Sequence, residues 1–430
     1  MREMKYSGIP SIGDVPSHWD ISRIKTLLSL RSEKNSGDRE LLSVYLDRGV
    51  ISYNDSTGMQ VHKPSADLSN YQNVHVGDFV LNNQQAWRGS VGVSKYDGII
   101  SPAYFVYDMS EKCYPLYMNF LLRDGSMVQQ YETSSRGVGT IQRNLYAMWF
   151  YDSLVALPPM EEQIAIATYL DAKCTEIDAL IADVQAQIDV LEQYKRSFIT
   201  ETVTKGLNPD AEMKDSGIEW VGMIPSTWEM RKGKYMFVQR SLRGNSIELQ
   251  LLSPTQKFGV IPQSLYEELT GMSAVKLSEK ADLSLLKTIP TGDFCISLRS
   301  FQGGFEYSEY EGVVSPAYQV FYPTVEIADG YYRYLFKESG FIEKMNSYTM
   351  TLRDGKNIAF ADFGNTYIPY PPVDEQAAIA AYLDERCAQI DAIIADKRRQ
   401  LEVIDEYKKS LIFEYVTGKK AVGGEPHGIS

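Results

Sequence analysis

A chain of 430 residues with 44% hydrophobic and 23% charged residues can bury sizeable cores and has room for two to four domains. No apolar run reaches the roughly 18 residues a membrane span needs, the polar stretch Met1 to Pro10 shows no signal peptide, and four scattered cysteines (Cys113, Cys174, Cys295, Cys387) without a C-x-x-C pair suggest neither disulfides nor zinc and fit a reducing cytoplasm. A net charge of −13 excludes a uniformly basic nucleic-acid binder, so the position of the charge matters more than its sum.

The chain opens on "MKYSGIPSIGDVPSHW" (Met4 to Trp19), a turn-rich leading segment. Residues 20–155 then read as mixed α/β. Strand-like runs lie at 41–46, 77–82, 89–94 and 98–107, and a helix is predicted at 115–132. Residues 1–159 hold 16 acids and 15 bases, near enough to neutral to present one basic face. Two loops are rich in groups that read base edges. "NNQQAWRGS" offers Asn83, Gln85 and Arg88, and "SSRGVGTIQRN" offers Arg136, Gln142 and Arg143. Arginine suits guanine O6/N7, and Asn and Gln suit adenine N6/N7.

Pro158-Pro159 precede a long helical stretch. Leu170, Cys174, Ile177, Ile181, Ile188 and Leu191 fall on an unbroken 3-4 apolar spacing that runs from Ala167 to Phe198, the pattern of a coiled-coil seam. At about 1.5 Å per residue this seam spans about 46 Å, the length of about 13–14 base pairs. Lys195 interrupts it, and Gly206 and Pro209 stop it. Residues 160–204 carry 9 acids and 3 bases, so this helix should face water or a protein rather than phosphate.

The same plan then starts again. "MKDSGIEWVGMIPSTW" (Met213 to Trp228) repeats the leading segment, "ADLSLLKTIPTGDFC" (281–295) repeats 66–80, and "YEGVVSPAY" (310–318) repeats 96–104. "YPPVDEQAAIAAYLDERCAQIDAIIAD" (370–396) repeats 157–183. The second seam runs through Leu383, Cys387, Ile390, Ile394, Leu401 and Ile404, with Lys397 and Lys408 interrupting it, and Gly418 stops the helix. The two seams are expected to pack on each other, antiparallel across a pseudo-twofold axis. Helices and joints match closely between copies, whereas 82–95 against 297–309 and 112–140 against 326–352 match poorly. In the second copy "SLRSFQGG" (297–304) offers Arg299 and Gln302, and "NSYTMTLRDGKN" (346–357) offers Tyr348, Arg353 and Lys356. The expected fold class is α+β: two mixed α/β domains related by pseudo-twofold symmetry and separated by two long helices. The boundaries read as 1–157, 158–206, 207–370, 371–418 and a tail at 419–430.

No catalytic constellation is legible. His18, His62, His75 and His427 have no metal-spaced partners, and neither G-x-x-x-x-G-K-[ST] nor G-x-G-x-x-G occurs. "LPPM" and "YPPV" share only their prolines with the methyltransferase tetrapeptide. A nuclease or methyltransferase therefore lacks its residues. A purely structural coiled-coil adaptor would explain the acidic helices but not two large domains with divergent loops.

The order "LPPMEEQ" (157–163), Ile166–Asp171 and "YKRSFITETVTKG" (194–206), repeated as "YPPVDEQ" (370–376), Ile379–Asp384 and "YKKSLIFEYVTGK" (407–419), resembles the specificity subunit of type I restriction–modification systems along almost the whole chain. One departure is Pro10-Ser11 where the second copy has Glu219-Trp220. The resemblance implies two target-recognition domains that each read half of an asymmetric, bipartite site in double-stranded DNA, and two spacer helices that fix the gap. It implies two methyltransferase subunits using S-adenosylmethionine on a flipped adenine, and motor-nuclease subunits using ATP and Mg. By the same resemblance this chain carries no active site, cofactor or metal of its own.

Overall fold

The computed structural model describes residues 2–35, 37, 39–56, 64–65, 67–137, 143–243, 249–272, 283–296, 304–348 and 358–423. Its two compact units are Met1–Gln185 with Arg399–Ser430, and Ala186–Arg398. The units do not coincide with the two sequence copies. Each holds one globular region, the first part of the helix that follows it, and the last part of the other long helix.

In the first unit a leading hairpin pairs Met4–Tyr6 with Asp14–Pro16, and Asp20–Arg23 pairs with Leu154–Leu157 immediately before the long helix. Between them lies a four-stranded antiparallel sheet ordered Leu28–Arg31, Tyr104–Met109, Phe79–Asn82, Val91–Val93. Two small antiparallel pairs flank it, Leu42–Tyr45 with Gly49–Ser52 and Gln72–Val74 with Gly98–Ile100. The second unit repeats this topology. Its hairpin is Met213–Asp215 with Met223–Pro225, its joint pair Glu229–Lys232 with Tyr367–Tyr370, and its sheet runs Phe237–Gln239, Gln319–Pro323, Phe294–Ile296, Phe305–Tyr307. A helix at Gln263–Thr270 stands where the first unit has a short 3-10 turn, Tyr53–Ser56.

Two predicted elements are each divided in two. The strand-like run 98–107 forms Gly98–Ile100 and Tyr104–Met109, because Pro102 cannot donate to a ladder and sits in the turn between them. The helix expected at 115–132 is Pro115–Arg123 followed by Gly125–Thr133. Asp124 between them is extended, and its carboxylate accepts from Ser126 N–H at 2.9 Å, so a short polar side chain starts a new helix instead of continuing the old one. Glu338 does the same between Asp329–Leu335 and Ser339–Ser347.

The long helices span Met160–Lys205 and Val373–Val416. Of the seam residues, Leu170, Cys174, Ile177, Ile188, Leu383, Cys387, Ile390 and Ile394 are buried, and Ile181, Leu191, Leu401 and Ile404 are half-buried. Within the first unit the two helix portions run antiparallel, with Tyr169 on Tyr415 (ring centroids 4.7 Å apart) and Lys408 Nζ on Asp178 at 2.5 Å. Within the second, Lys195 meets Asp391 at 2.6 Å, Arg398 meets Glu192 at 2.8 Å, and Lys397 donates to Gln187. The lysines that interrupt each seam thus lay their stems along it and carry their charge to the facing helix.

A repeated joint ties each helix to its globular region. Trp19 is wholly buried and its indole donates to Glu162 Oε2 at 3.2 Å; Trp228 donates to Glu375 Oε2 at 2.9 Å. A carboxylate in the first helical turn is favoured by the helix dipole, and here it also receives the leading segment. The next residue satisfies the connecting backbone. Gln163 accepts from Tyr114 N–H at 2.7 Å and donates to the Lys112 and Pro158 carbonyls at 2.8 and 2.9 Å. Gln376 accepts from Ala328 N–H at 2.9 Å and donates to the Pro371 carbonyl at 2.7 Å. The end of the other helix completes each joint. Tyr117 Oη donates to the Val416 carbonyl at 3.1 Å, and Tyr331 Oη to the Val203 carbonyl at 2.7 Å. Gly418 and Gly206 follow at φ 72° and 76°. A Cβ on Gly418 would lie 2.3 Å from Pro16 Cδ, and one on Gly206 would lie 2.8 Å from Glu375 Oε1.

The joint predicts a ranking. Tyr117→Phe and Tyr331→Phe should each cost about 1 kcal/mol, the loss of one buried hydrogen bond. Gly418→Ala should cost more, beyond about 1 kcal/mol, because it adds left-handed strain to a clash with a proline ring. Denaturant unfolding of the three variants checks the order, and a neutral Gly418→Ala would contradict it.

A second expectation concerns pH. Glu306, buried opposite Cys295 on the second unit's sheet, has its carboxyl pushed up to about 7 by burial, against the opposing pull of its ion pair with Lys337. A group whose folded value is raised above its unfolded one stabilises fully below the unfolded value, near 4.5, and loses that contribution as pH climbs through about 7. Glu306→Gln removes this term. The melting temperature of the variant minus that of the wild type should therefore rise between pH 5 and pH 8, and a difference that stays constant would show that Glu306 does not titrate in this window.

Candidate nucleic-acid interface

The first unit brings its two singled-out loops together. The backbone N–H of Leu145 donates to both the carbonyl and the side-chain oxygen of Asn83, at 3.1 and 3.0 Å. Asn83 is therefore a strut between loops. The Gln85 carbonyl accepts from Arg88 N–H at 3.0 Å and so closes the short 3-10 turn Ala86–Arg88, which Gly89 ends at φ 95°. Arg88 is exposed at the turn's end. On the other loop, Ser135–Arg136 pairs antiparallel with Asn144–Leu145, which makes a narrow ribbon. Its inner face is Ser135, whose hydroxyl donates to the Tyr131 carbonyl at 2.7 Å, and buried Leu145; its outer face carries Arg136 and Asn144, both exposed.

Aromatic rings order the cations of this surface. Arg143 lies over the Trp87 ring at 4.7 Å and Arg88 over the same ring at 5.5 Å, while Arg136 lies over Trp149 at 4.4 Å. Arg143 is also tied to Glu132 at 2.9 Å. Tyr146 packs on Trp149 with centroids 4.9 Å apart. Tyr146, Met148 and Trp149 are 49, 78 and 40% exposed, an apolar ledge beside the guanidiniums. Sequence reasoning missed these rings, Glu132 and Asn144. The signal available was "YAMWFY" (146–151), an aromatic run directly after an arginine-rich loop. Gln142 lies outside the described residues, as do Arg299, Gln302, Arg353 and Lys356.

In the second unit Tyr348 is described. Its hydroxyl pairs with Thr366 Oγ1 at 3.1 Å, Lys344 lies over its ring at 4.8 Å, and it lines a cavity of about 800 Å³ with Trp220, Lys344 and Tyr367. Trp220, absent from the first copy, packs edge-on against Phe341 at 5.7 Å. The charge beside the joint strands also differs. Arg23 and Lys25 meet Asp152 at 2.7 and 3.4 Å, and the two hydrogen bonds hold that carboxyl below its usual range. The second unit has Asn365 there instead, accepting from Lys234 at 3.3 Å, with Lys232 over Tyr367 at 5.1 Å. Among the described residues no cluster of His, Cys, Asp and Glu could hold a metal, and no helix is long and apolar enough to cross a membrane.

Residues 229–403 match the type I restriction modification DNA specificity domain. Along nearly its whole length the chain is similar to proteins of Methanocaldococcus jannaschii named as the MjaX and MjaVIII type I restriction enzyme specificity subunits. The first is 24% identical, with 95% of both chains covered, and the second is 26% identical, with 94% of this chain and 93% of the relative covered. A solved chain from a type I R-M system, described for its complex assembly and conformational transition, shares the fold with a TM-score of 0.68 at 17% identity, over 94% of this chain and 99% of its own. The second copy thus carries the type I restriction modification DNA specificity domain, the first copy repeats its topology, and from end to end the chain is similar to type I restriction enzyme specificity subunits.

Proposed function

We propose that the chain reads a bipartite, asymmetric site in double-stranded DNA, one half-site per recognition domain, and that it does so without catalysis of its own. The observation that carries this is the contrast between copies. The joints, the sheet topology and the helix pairs are duplicated, whereas most side chains of 82–90 and 134–149 have no counterpart in the second copy, Asn144 with Asn357 excepted. A scaffold that must hold two like partners keeps what the copies share, and a reader of two different sequences differs where it meets bases.

On this reading residues 1–157 and 207–370 are the two recognition domains, 158–206 and 371–418 the spacers, and 419–430 a tail. Asn83, Gln85, Arg88, Arg136, Gln142 and Arg143 serve the first half-site, and Arg299, Gln302, Tyr348, Arg353 and Lys356 the second. The acidic spacers face protein rather than phosphate. Two methyltransferase subunits bring S-adenosylmethionine and motor-nuclease subunits bring ATP and Mg, all in the cytoplasm. The chain's part is to place the adenine, since flipping and methyl transfer require a pocket that belongs to the partner.

Two measurements test this. Methylated adenines mapped by single-molecule sequencing in host cells with and without the gene should show a two-part motif with a fixed gap that disappears on deletion. Methylation unaffected by deletion would refute the reading. Inserting four residues, about one turn, near both Ile188 and Ile404 should lengthen the gap by about two base pairs, since about 6 Å of helix is added. An unchanged gap would refute the spacer role.

A further inference from the structure

We infer that the ribbon Ser135–Arg136/Asn144–Leu145 enters the major groove of the first half-site, where Arg136 reads a guanine and Asn144 an adenine at neighbouring positions. The inference rests on the DNA-reading role proposed above and assigns which side chains read and which only position.

A two-stranded ribbon is one of the two backbone shapes the major groove admits. Side chains directly opposite on an antiparallel pair point to the same face, and Arg136 and Asn144 are such a pair, both on the solvent side, with Ser135 and Leu145 turned into the domain. Arginine bidentate to guanine and asparagine bidentate to adenine are the contacts these groups make best. Among the described residues neither side chain has a hydrogen-bond or ion-pair partner. The guanidinium of Arg136 is nevertheless ordered, because it lies over Trp149 at 4.4 Å and Trp149 is packed by Tyr146 at 4.9 Å. A pre-stacked guanidinium loses less freedom on binding than a loose one. Arg143 differs. Glu132 takes its charge at 2.9 Å and Trp87 its face at 4.7 Å. It is a positioning residue that braces the ribbon, with Asn83 gripping the other end of the same strand.

The same surface is ill-suited to a docked partner subunit. Two like partners on two like domains need the same ledge twice, yet Met148 and Trp149 are replaced by Ala361 and Asp362 at the positions 213 residues on. The ledge under Arg136 differs between the copies, whereas Asn144 recurs as Asn357.

The experiment maps methylation motifs in cells carrying the whole system, with the wild-type chain or one variant. Arg136→Ala should relax one guanine position of a single half-site on the order of 10-fold or more in selectivity. Asn144→Ala should relax an adenine at an adjacent position, and Asn144→Asp should turn that preference toward cytosine, whose N4 donates to a carboxylate. Arg136→Lys, which keeps the charge but not the fork, should not restore the guanine. Trp149→Leu should weaken the position read by Arg136, and Glu132→Gln should lower methylation without changing the motif. Unchanged motifs in both alanine variants, changes in different half-sites, or full rescue by lysine would overturn the assignment. A wild-type chain that directs no two-part motif would sink the DNA-reading role, and this inference with it.

Discussion

The bond between an indole and a carboxylate, Trp19 on Glu162 and Trp228 on Glu375, is where the rest of the architecture is anchored. Each tryptophan closes a leading hairpin, and each glutamate sits in the first turn of a long helix. Placing one on the other fixes the direction in which the helix leaves its domain. Burial makes the arrangement strict. A wholly buried indole N–H calls for an acceptor, and the adjoining Gln163 and Gln376 bond to the connecting backbone beside it. Glycine at the far helix end then lets a third segment close over the ring.

Duplication and divergence are divided by layer. The ion pairs of a half-buried arginine with a buried aspartate are kept, Arg31 on Asp78 and Arg240 on Asp293, and burial lifts both carboxyls against the pull of their arginines. Lys195 and Lys408 make the same cross-helix bridge to Asp391 and Asp178. Change begins in the sheet itself. Cys295 faces Glu306 where Val80 faces Gly92, and a Cβ on Gly92 would meet the Gly49 backbone at 3.0 Å. It is greatest at the loops, where in the first copy two indoles organise three arginines.

Much of this was legible in the sequence because its causes are local or periodic. The 3-4 spacing gave the seams, the paired prolines and glycines gave helix limits, and the repeat gave the duplicated topology. The divided helix at Asp124 and the divided strand at Pro102 were missed because one capping or ring-bearing residue overrode the apolar pattern around it. The candidate surface was legible only in part. Composition drew attention to Arg88, Arg136 and Arg143, but the roles of Asn83 as strut, Glu132 as counter-charge and Trp149 as platform depend on contacts between segments 11 to 62 residues apart. Nor does a string of letters show that each helix begins in one unit and ends in the other.

That exchange of helix ends bears on the order in which the molecule can be finished. The second unit is a continuous stretch, Ala186–Arg398, and all of it has been synthesised while the first still lacks Arg399 onward. The first unit's core includes Leu411, Tyr415 and Val416, and its Tyr117 hydroxyl waits for a carbonyl 299 residues later. A chain emerging from the ribosome therefore completes its second recognition domain before its first. Until the last turns arrive, the apolar surface meant for them, around Trp19, stays open to water or to a chaperone.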